Sequence, residues 1–264
     1  MVIGWLKRDD DGDLAPLSAW QRVEKTQNKP RIPCLLVPQP THAVLAGELA
    51  GALLPNIFGD LPPEVQRCIT MHDTGWAMID AAQIQSLRSG SAQAARATPV
   101  AFTANSPQET IEAWTASINS VERLSPAGGL VVSRHFTLLA NPALSEHRRF
   151  STIEQTRQRA LKAKASGSAS DLDRWTAALG FCDLVSLYML TGLRLQTSFP
   201  LAHPSSQEAA SAPRVTLRFE GNRLCFSPAV FQSGFAFEVE ALLHPVSADG
   251  PRTGKLRWEI GDGE

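Results

Sequence analysis

The chain lacks any run of about 18 uninterrupted apolar residues, so nothing in it reads as a membrane-spanning helix. Met1 to Asp10 turns acidic before the apolar stretch of a secretory signal could be completed, and the expected compartment is cytoplasmic. Net charge is almost absent as well. The 25 Lys and Arg against 26 Asp and Glu leave no bulk field to gather nucleic acid or an anionic membrane surface. Cysteine is scarce: Cys34, Cys68, Cys182 and Cys225 form no CxxC pair, so free buried thiols are expected in place of a disulfide frame or a zinc ribbon. Also missing are the GxxxxGK phosphate loop and the GxSxG nucleophile elbow. What is present is an ordinary globular composition, 43% hydrophobic and 19% charged over 264 residues. That is long enough for a core needing no external staple, and one domain over residues 1–264 is expected.

Apolar spacing divides the chain into three stretches. Residues 1–40 are expected to be extended, with a strand from Val2 to Leu6, a turn from Asp9 to Asp13 and a strand from Ile32 to Val37. Thr41 then caps a helix whose single face carries His42, Leu45, Ala46, Leu49 and Leu53, until Pro55 stops it. Pro62 and Pro63 open a second helix with Val65, Cys68, Ile69 and His72 inward, and Gly75 places the His72-Asp73 pair near its end or at a bend. Gln83 to Ser106 is expected to be a long loop, extended over Thr98 to Phe102. Ser106, Pro107 and Glu109 form the start signal of a helix running to about Arg123. Further helices are expected over Ala127–Ala140, Phe150–Ala165 and Asp171–Leu193, the last with Asp183 inside a wide apolar stripe.

After a linker-like segment from Ser205 to Pro213, alternation predicts strands at Val215–Phe219, Leu224–Phe226, Phe235–Leu243 and Lys255–Ile260. The expected fold is therefore mostly α: a helical core over 41–195, with a small antiparallel β-sheet made by the terminal segments 1–40 and 213–264. That sheet is either a surface for a homo-oligomer or packing alone.

Three predicted helices each bring a metal-competent side chain to an apolar face: His42, then His72 with Asp73, then Asp183. Each alone is compatible with an ordinary hydrogen-bonded core residue. Together they are harder to set aside, because burying Asp73 and Asp183 without a partner would cost several kcal/mol and no Lys or Arg stands on the same faces. A cation resolves the cost. Imidazoles and carboxylates suit Mn, Fe, Zn, Co or Ni, and four such ligands leave a coordination position open.

The order His42, then His72-Asp73, then a distant Asp183 resembles the HD superfamily of metal-dependent phosphohydrolases over about residues 40–190. The phrases Gln39-Pro40-Thr41-His42-Ala43, His72-Asp73-Thr74-Gly75-Trp76, Val132-Ser133-Arg134-His135-Phe136 and Asp183-Leu184-Val185-Ser186-Leu187 more narrowly resemble a bacterial HD-like family of unknown function. The resemblance implies an HD-type helical core in which His42, His72, Asp73 and Asp183 hold one divalent transition metal. It also implies that Asp73 can bridge to a second ion and that His135 is the natural extra ligand. His147, in the charged stretch Glu146-His147-Arg148-Arg149, is not taken as a ligand, and His203 and His244 receive no chemistry.

Asp73 and Arg134 are the expected catalytic residues, Arg134 as a cation steadying developing charge, with Trp76, Ser133 and Ser186 in the substrate pocket. The activity so implied is hydrolysis of a nucleotide or other small phosphate ester by metal-activated water. A di-iron oxygenase and a non-catalytic ligand-sensing protein are the alternatives. The expected partner is a small phosphorylated substrate or ligand, with neither nucleic acid nor membrane.

Overall fold

Helix starts follow from side chains that satisfy otherwise orphaned backbone donors. The structure, a computed structural model, describes residues 1–6, 14, 17–29, 31–87, 98–245 and 252–262. The turn expected at Asp9–Asp13 and part of the loop expected at Gln83–Ser106 lie outside them. The described helices are α1 (Ala19–Asn28), α2 (Gln39–Ala52), α3 (Pro55–Phe58), α4 (Pro63–Thr70), α5 (Ala77–Leu87), α6 (Pro107–Glu122), α7 (Pro126–Leu139), α8 (Ser145–Lys162) and α9 (Ala169–Leu190). At α6 the Ser106 hydroxyl accepts from the Glu109 N–H at 3.2 Å, while the Glu109 carboxylate accepts from the Ser106 N–H at 2.9 Å. Ser168 and Asp171 make the same reciprocal pair at the start of α9.

The strands are β1 (Val2–Trp5), β2 (Cys34–Val37), β3 (Thr197–Pro200), β4 (Arg214–Glu220), β5 (Arg223–Ser227), β6 (Ala236–His244) and β7 (Thr253–Ile260). They form one sheet in the order β1-β2-β6-β7-β5-β4-β3. Every pairing is antiparallel except β5 with β7, where Arg223 lies opposite Glu259 and Leu224 opposite Ile260 in parallel register. The expected small antiparallel sheet on an all-helical core is thus corrected to a seven-stranded, curled, mixed sheet that makes up a full layer of the protein. The local alternation within each strand was readable. Pairing across the chain was not, since β7 inserts between β6 and β5 and the N-terminal β2 pairs with β6.

Two further expectations change. Residues 1–40 are not all extended, because α1 lies between β1 and β2. Its inward face is polar: buried Arg22 donates through Nε to the Leu14 carbonyl at 2.8 Å, and buried Gln27 both accepts from the Ile3 N–H and donates to the Ile3 carbonyl. Ala19 and Val23 are the only apolar residues buried on that face, too short a stripe to mark a helix. The loop expected from Gln83 begins later, because α5 continues to Leu87, and the extended segment expected over Thr98–Phe102 ends at Ala101, where a short 3-10 turn, Phe102–Ala104, follows.

The core joins both layers. Leu45 and Leu49 of α2, Leu184 and Leu187 of α9, and Phe226 and Phe237 of the sheet belong to one continuous cluster of buried apolar side chains. Helix α9 runs through its middle, against α1, α2 and α7, and is buried on all sides from Ala178 to Leu190. All four cysteines are free and buried. Among the described residues, no helix is long and apolar enough to cross a membrane.

Candidate metal centre

Four elements carry the functional side chains to one point. His42 sits in the first turn of α2, and the start of that helix is fixed from outside: the Gln39 N–H donates to the Asp80 carboxylate of α5 at 2.6 Å. His72 and Asp73 occupy the tight turn after α4, held by hydrogen bonds from the His72 N–H to the Ile69 carbonyl and from the Trp76 N–H to the Asp73 carbonyl, both 3.2 Å. Gly75 lets α6 close over this turn. A Cβ there would stand 2.9 Å from the Ser117 nitrogen and nearer still to the Ala113 carbonyl oxygen. Asp183 comes from the middle of α9 and His135 from α7.

The tips converge as the sequence predicts for His42, His72, Asp73 and Asp183. His42 Nε2 lies 2.9 Å from Asp183 Oδ1, and His42 Nδ1 lies 3.3 Å from Asp73 Oδ2. His72 Nε2 lies 3.4 Å from Asp183 Oδ1 and 3.6 Å from Asp73 Oδ2. All four residues are buried. Despite these separations, both ring nitrogens of His42 and the Nε2 of His72 lack a hydrogen bond, because the angles do not align an N–H with an oxygen. Metal–ligand distances of about 2.0–2.2 Å imply tetrahedral edges of roughly 3.3–3.6 Å, which the His42–Asp73 separation and both His72 separations match, while His42 meets Asp183 through its other nitrogen and more closely. The buried His and Asp groups could therefore hold a metal ion. Two overlapping triads, His42-His72-Asp73 and His72-His135-Asp183, each have their ligand atoms within 4.8 Å of one another.

Hydrogen bonding on the far side of each imidazole distinguishes its role. His72 Nδ1 lies 2.8 Å from the Ile69 carbonyl oxygen, which can only accept, so Nδ1 carries a proton and the neutral ring turns its Nε2 lone pair toward the carboxylates. This is the outer-shell arrangement of a metal-ligating histidine. His135 is the reverse. The Ser205 N–H donates to His203 Nδ1 at 3.2 Å, which leaves the His203 proton on Nε2. His203 Nε2 in turn stands 2.9 Å from His135 Nδ1, which must accept. The neutral His135 ring then carries its proton on Nε2, 3.8 Å from Asp183 Oδ2.

Burial depresses the His42 imidazole, but the Asp183 and Asp73 carboxylates outweigh it and push its pKa up to about 9. His72 is raised by the same contest of burial against the two carboxylates. Asp183, which burial would raise, is held well below the usual carboxylate range by His42 and His72. Burial lowers His135 well below the imidazole range and His203 to about 4, so both are neutral near pH 7.

A pH dependence follows. The raised His42 stabilises the metal-free fold fully below its ordinary value of 6.5, and this contribution is lost as pH rises through about 9. The lowered Asp183 contributes above 3.8, and its contribution is lost as pH falls through its depressed value. As far as these two groups decide, the metal-free protein is most stable between pH 3.8 and 6.5. Metal binding runs the other way, because an ion must displace the His42 proton. Cobalt affinity is expected to rise about tenfold per pH unit between pH 6 and 8. A flat calorimetric profile would remove His42 from the ligand set.

The remaining predicted site residues are dispersed. Trp76 is buried and lines a cavity of about 320 Å³ that opens onto His42, Asp73, His135 and Asp183. Arg134 is not at that cavity: it pairs with exposed Asp173 at 2.8 Å on the outer face of α7. Ser133 donates to Glu154 at 2.8 Å, toward α8, and Ser186 donates to the Asp183 carbonyl of its own helix, so neither lines the cavity. Sequence reasoning missed the part played by His203, which arrives from the β3–β4 connection. One signal existed, the mid-helix Gly180, a residue that costs about 1 kcal/mol against Ala in a helix interior. A Cβ there would come within 2.8 Å of His203 Cγ.

The fold and site together define an α+β protein with a buried His/Asp cluster competent for a metal ion. A family model described as "Protein of unknown function (DUF3891)" matches residues 27–243, and the chain belongs to that family. No curated protein and no solved structure matches it. The match extends from the end of α1 to strand β6, so it includes most of the sheet as well as the His/Asp cluster.

Proposed function

We propose that this chain is a metal-dependent hydrolase of the HD type, with His42, His72, Asp73 and Asp183 as the ligands of one divalent transition metal. One observation carries the reading: the buried, unpartnered Nε2 lone pair of His72 faces two carboxylate oxygens while its Nδ1–H is held by the Ile69 carbonyl. Two anions there call for a cation: a proton on the imidazole serves in the metal-free protein, and a divalent ion would take its place. When bound, such an ion lowers the pKa of water and polarises the substrate oxygen, a phosphoryl oxygen if the substrate is a small phosphate ester.

The chain's own groups do the rest. Asp73 and Asp183 accept and orient the attacking water. His135, kept neutral and with its proton on Nε2 by the His203 relay, donates a hydrogen bond to an oxygen at the open side of the cluster. The sequence reading made His135 an extra ligand; the relay supports the task of donor. The same relay argues against a di-iron oxygenase, which would need His135 to complete a second ligand set.

The test separates these roles. His135→Gln is expected to leave cobalt affinity within about threefold of wild type and stoichiometry at one ion per chain, while lowering hydrolysis about 100-fold. A fall from two ions to one would restore His135 as a ligand. A screen of phosphate esters with added manganese supplies the activity, and absence of both bound metal and turnover would end the hydrolase reading.

A further inference from the structure

Helix α2, which delivers His42, begins with almost nothing of its own to cap it. Pro38 and Pro40 carry no N–H, no side chain accepts at the cap position, and the His42 N–H goes to the Pro38 carbonyl at 3.0 Å. The Gln39 N–H is satisfied from another element, by Asp80 Oδ2 at 2.6 Å. Asp80 is 1% exposed, and its other oxygen accepts from the Met1 nitrogen at 2.8 Å. Both oxygens of one buried carboxylate are thus engaged by main-chain donors of two different segments.

Those segments leave the sheet together. In the β1–β2 ladder Val2 stands opposite Val37, so the Met1 nitrogen and the Gln39 N–H lie just beyond the same end of it and meet the same side chain. Asp80 itself lies in the first turn of α5, which follows directly on the Thr74–Trp76 turn whose Trp76 N–H binds the Asp73 carbonyl at 3.2 Å. Asp80 therefore continues the segment that carries Asp73, and Gln39 stands one helical turn before His42. The carboxylate ties the two: His42 Nδ1 and Asp73 Oδ2, 3.3 Å apart, sit on either side of the bond from Gln39 to Asp80. Helix α2 also packs on α4, but apolar contact is non-directional and permits sliding that a hydrogen bond at the helix end does not.

We infer that Asp80 is a positioning residue for the metal centre: by clamping the start of α2 to α5 it sets the distance between His42 and Asp73. A carboxylate is needed because both donors are main-chain nitrogens and each requires an acceptor; an amide offers one oxygen, and its NH2 would face the other donor. Negative charge also suits the N-terminus of α2. The inference rests on the hydrolase reading only for its effect on metal binding, since the clamp between the His42 and Asp73 segments stands without an ion.

In Asp80→Asn, cobalt affinity is expected to fall about tenfold, the lower end of what loss of an outer-shell partner costs, and the visible absorption of the bound cobalt, which follows ligand geometry, should change. Leu224→Ala, a core truncation in β5, controls for lost stability and should leave both as in wild type. In the metal-free protein the His42 imidazole resonances, assigned by their loss in His42→Gln, should move in Asp80→Asn and stay in place in Leu224→Ala. Unchanged affinity and resonances in Asp80→Asn overturn the inference, as does an equal loss in Leu224→Ala. Should Asp80→Asn not fold, Gln39→Pro removes the donor instead, at a first helical position that suits proline, and is read in the same two ways. If the wild type takes up no cobalt, the hydrolase reading falls and the His42 resonances alone decide this one. Cobalt uptake by the wild type with an unaffected Asp80→Asn keeps the hydrolase reading and removes this one.

Discussion

Asp183→Asn should strip the protein of its divalent ion, with affinity falling more than about 100-fold while the chain still folds. Asp183 reaches all three imidazoles, at 2.9 Å from His42, 3.4 Å from His72 and 3.8 Å from His135. The amide keeps the volume but removes one negative charge, and loss of a ligand oxygen exceeds the 10- to 100-fold effect typical of losing an outer-shell partner. Breaking a buried ion pair costs about 3–5 kcal/mol when the remaining charge has no escape. Here the escape exists, because His42 and His72 can each release a proton. Destabilisation of the metal-free variant should therefore be large at pH 5 and small at pH 9, as read by thermal unfolding. Elemental analysis decides the main point. Full metal occupancy in Asp183→Asn would break the site, whereas Asp173→Asn, on the surface pair with Arg134, should change nothing.

The second large effect is expected at Gly75, a residue that is not a ligand. In Gly75→Ala the new methyl meets the backbone of α6 at Ala113 and Ser117, and backbone cannot rotate away as a side-chain tip does. Overpacking of this sort costs typically 1–3 kcal/mol, and a rigid carbonyl puts the expected value near the top, about 3 kcal/mol. For a chain of this size that lowers the unfolding midpoint by about 6–12 °C. The turn that must shift carries His72 and Asp73, so metal affinity should fall in the same variant. Unchanged stability would mean that α6 does not close on the turn.

These two positions show what was legible beforehand. The buried His/Asp cluster could be read because each member stood on a strong local signal: His42 beginning an apolar stripe, Asp183 within one, and the His72-Asp73 pair beside the Gly75 bend. The helix start at α6 was equally local, fixed within three residues by Ser106 with Glu109, whereas α9, expected from Asp171, begins at Ala169 with Ser168 as its cap. What depended on distant partners was not legible. The polar inner face of α1 is satisfied by carbonyls elsewhere in the chain, β3 is four residues ending in Pro200, and the parallel β5–β7 pair has no marker in either strand. Arg134 and Ser133 failed as site residues for a related reason: on α7 they share a motif with His135, yet helical rotation turns them to other neighbours.

The relay from the Ser205 N–H through His203 to His135 has a practical meaning for anyone seeking a minimal unit. Excision of the helices alone, at the 41–195 boundary that patterning suggests, would discard His203 and free His135 to adopt the other tautomer. The excised piece would keep the four proposed ligands, yet a third imidazole, His135, could bind where it should donate. Any shortened form that is meant to turn over substrate has to retain the crossover beyond β3.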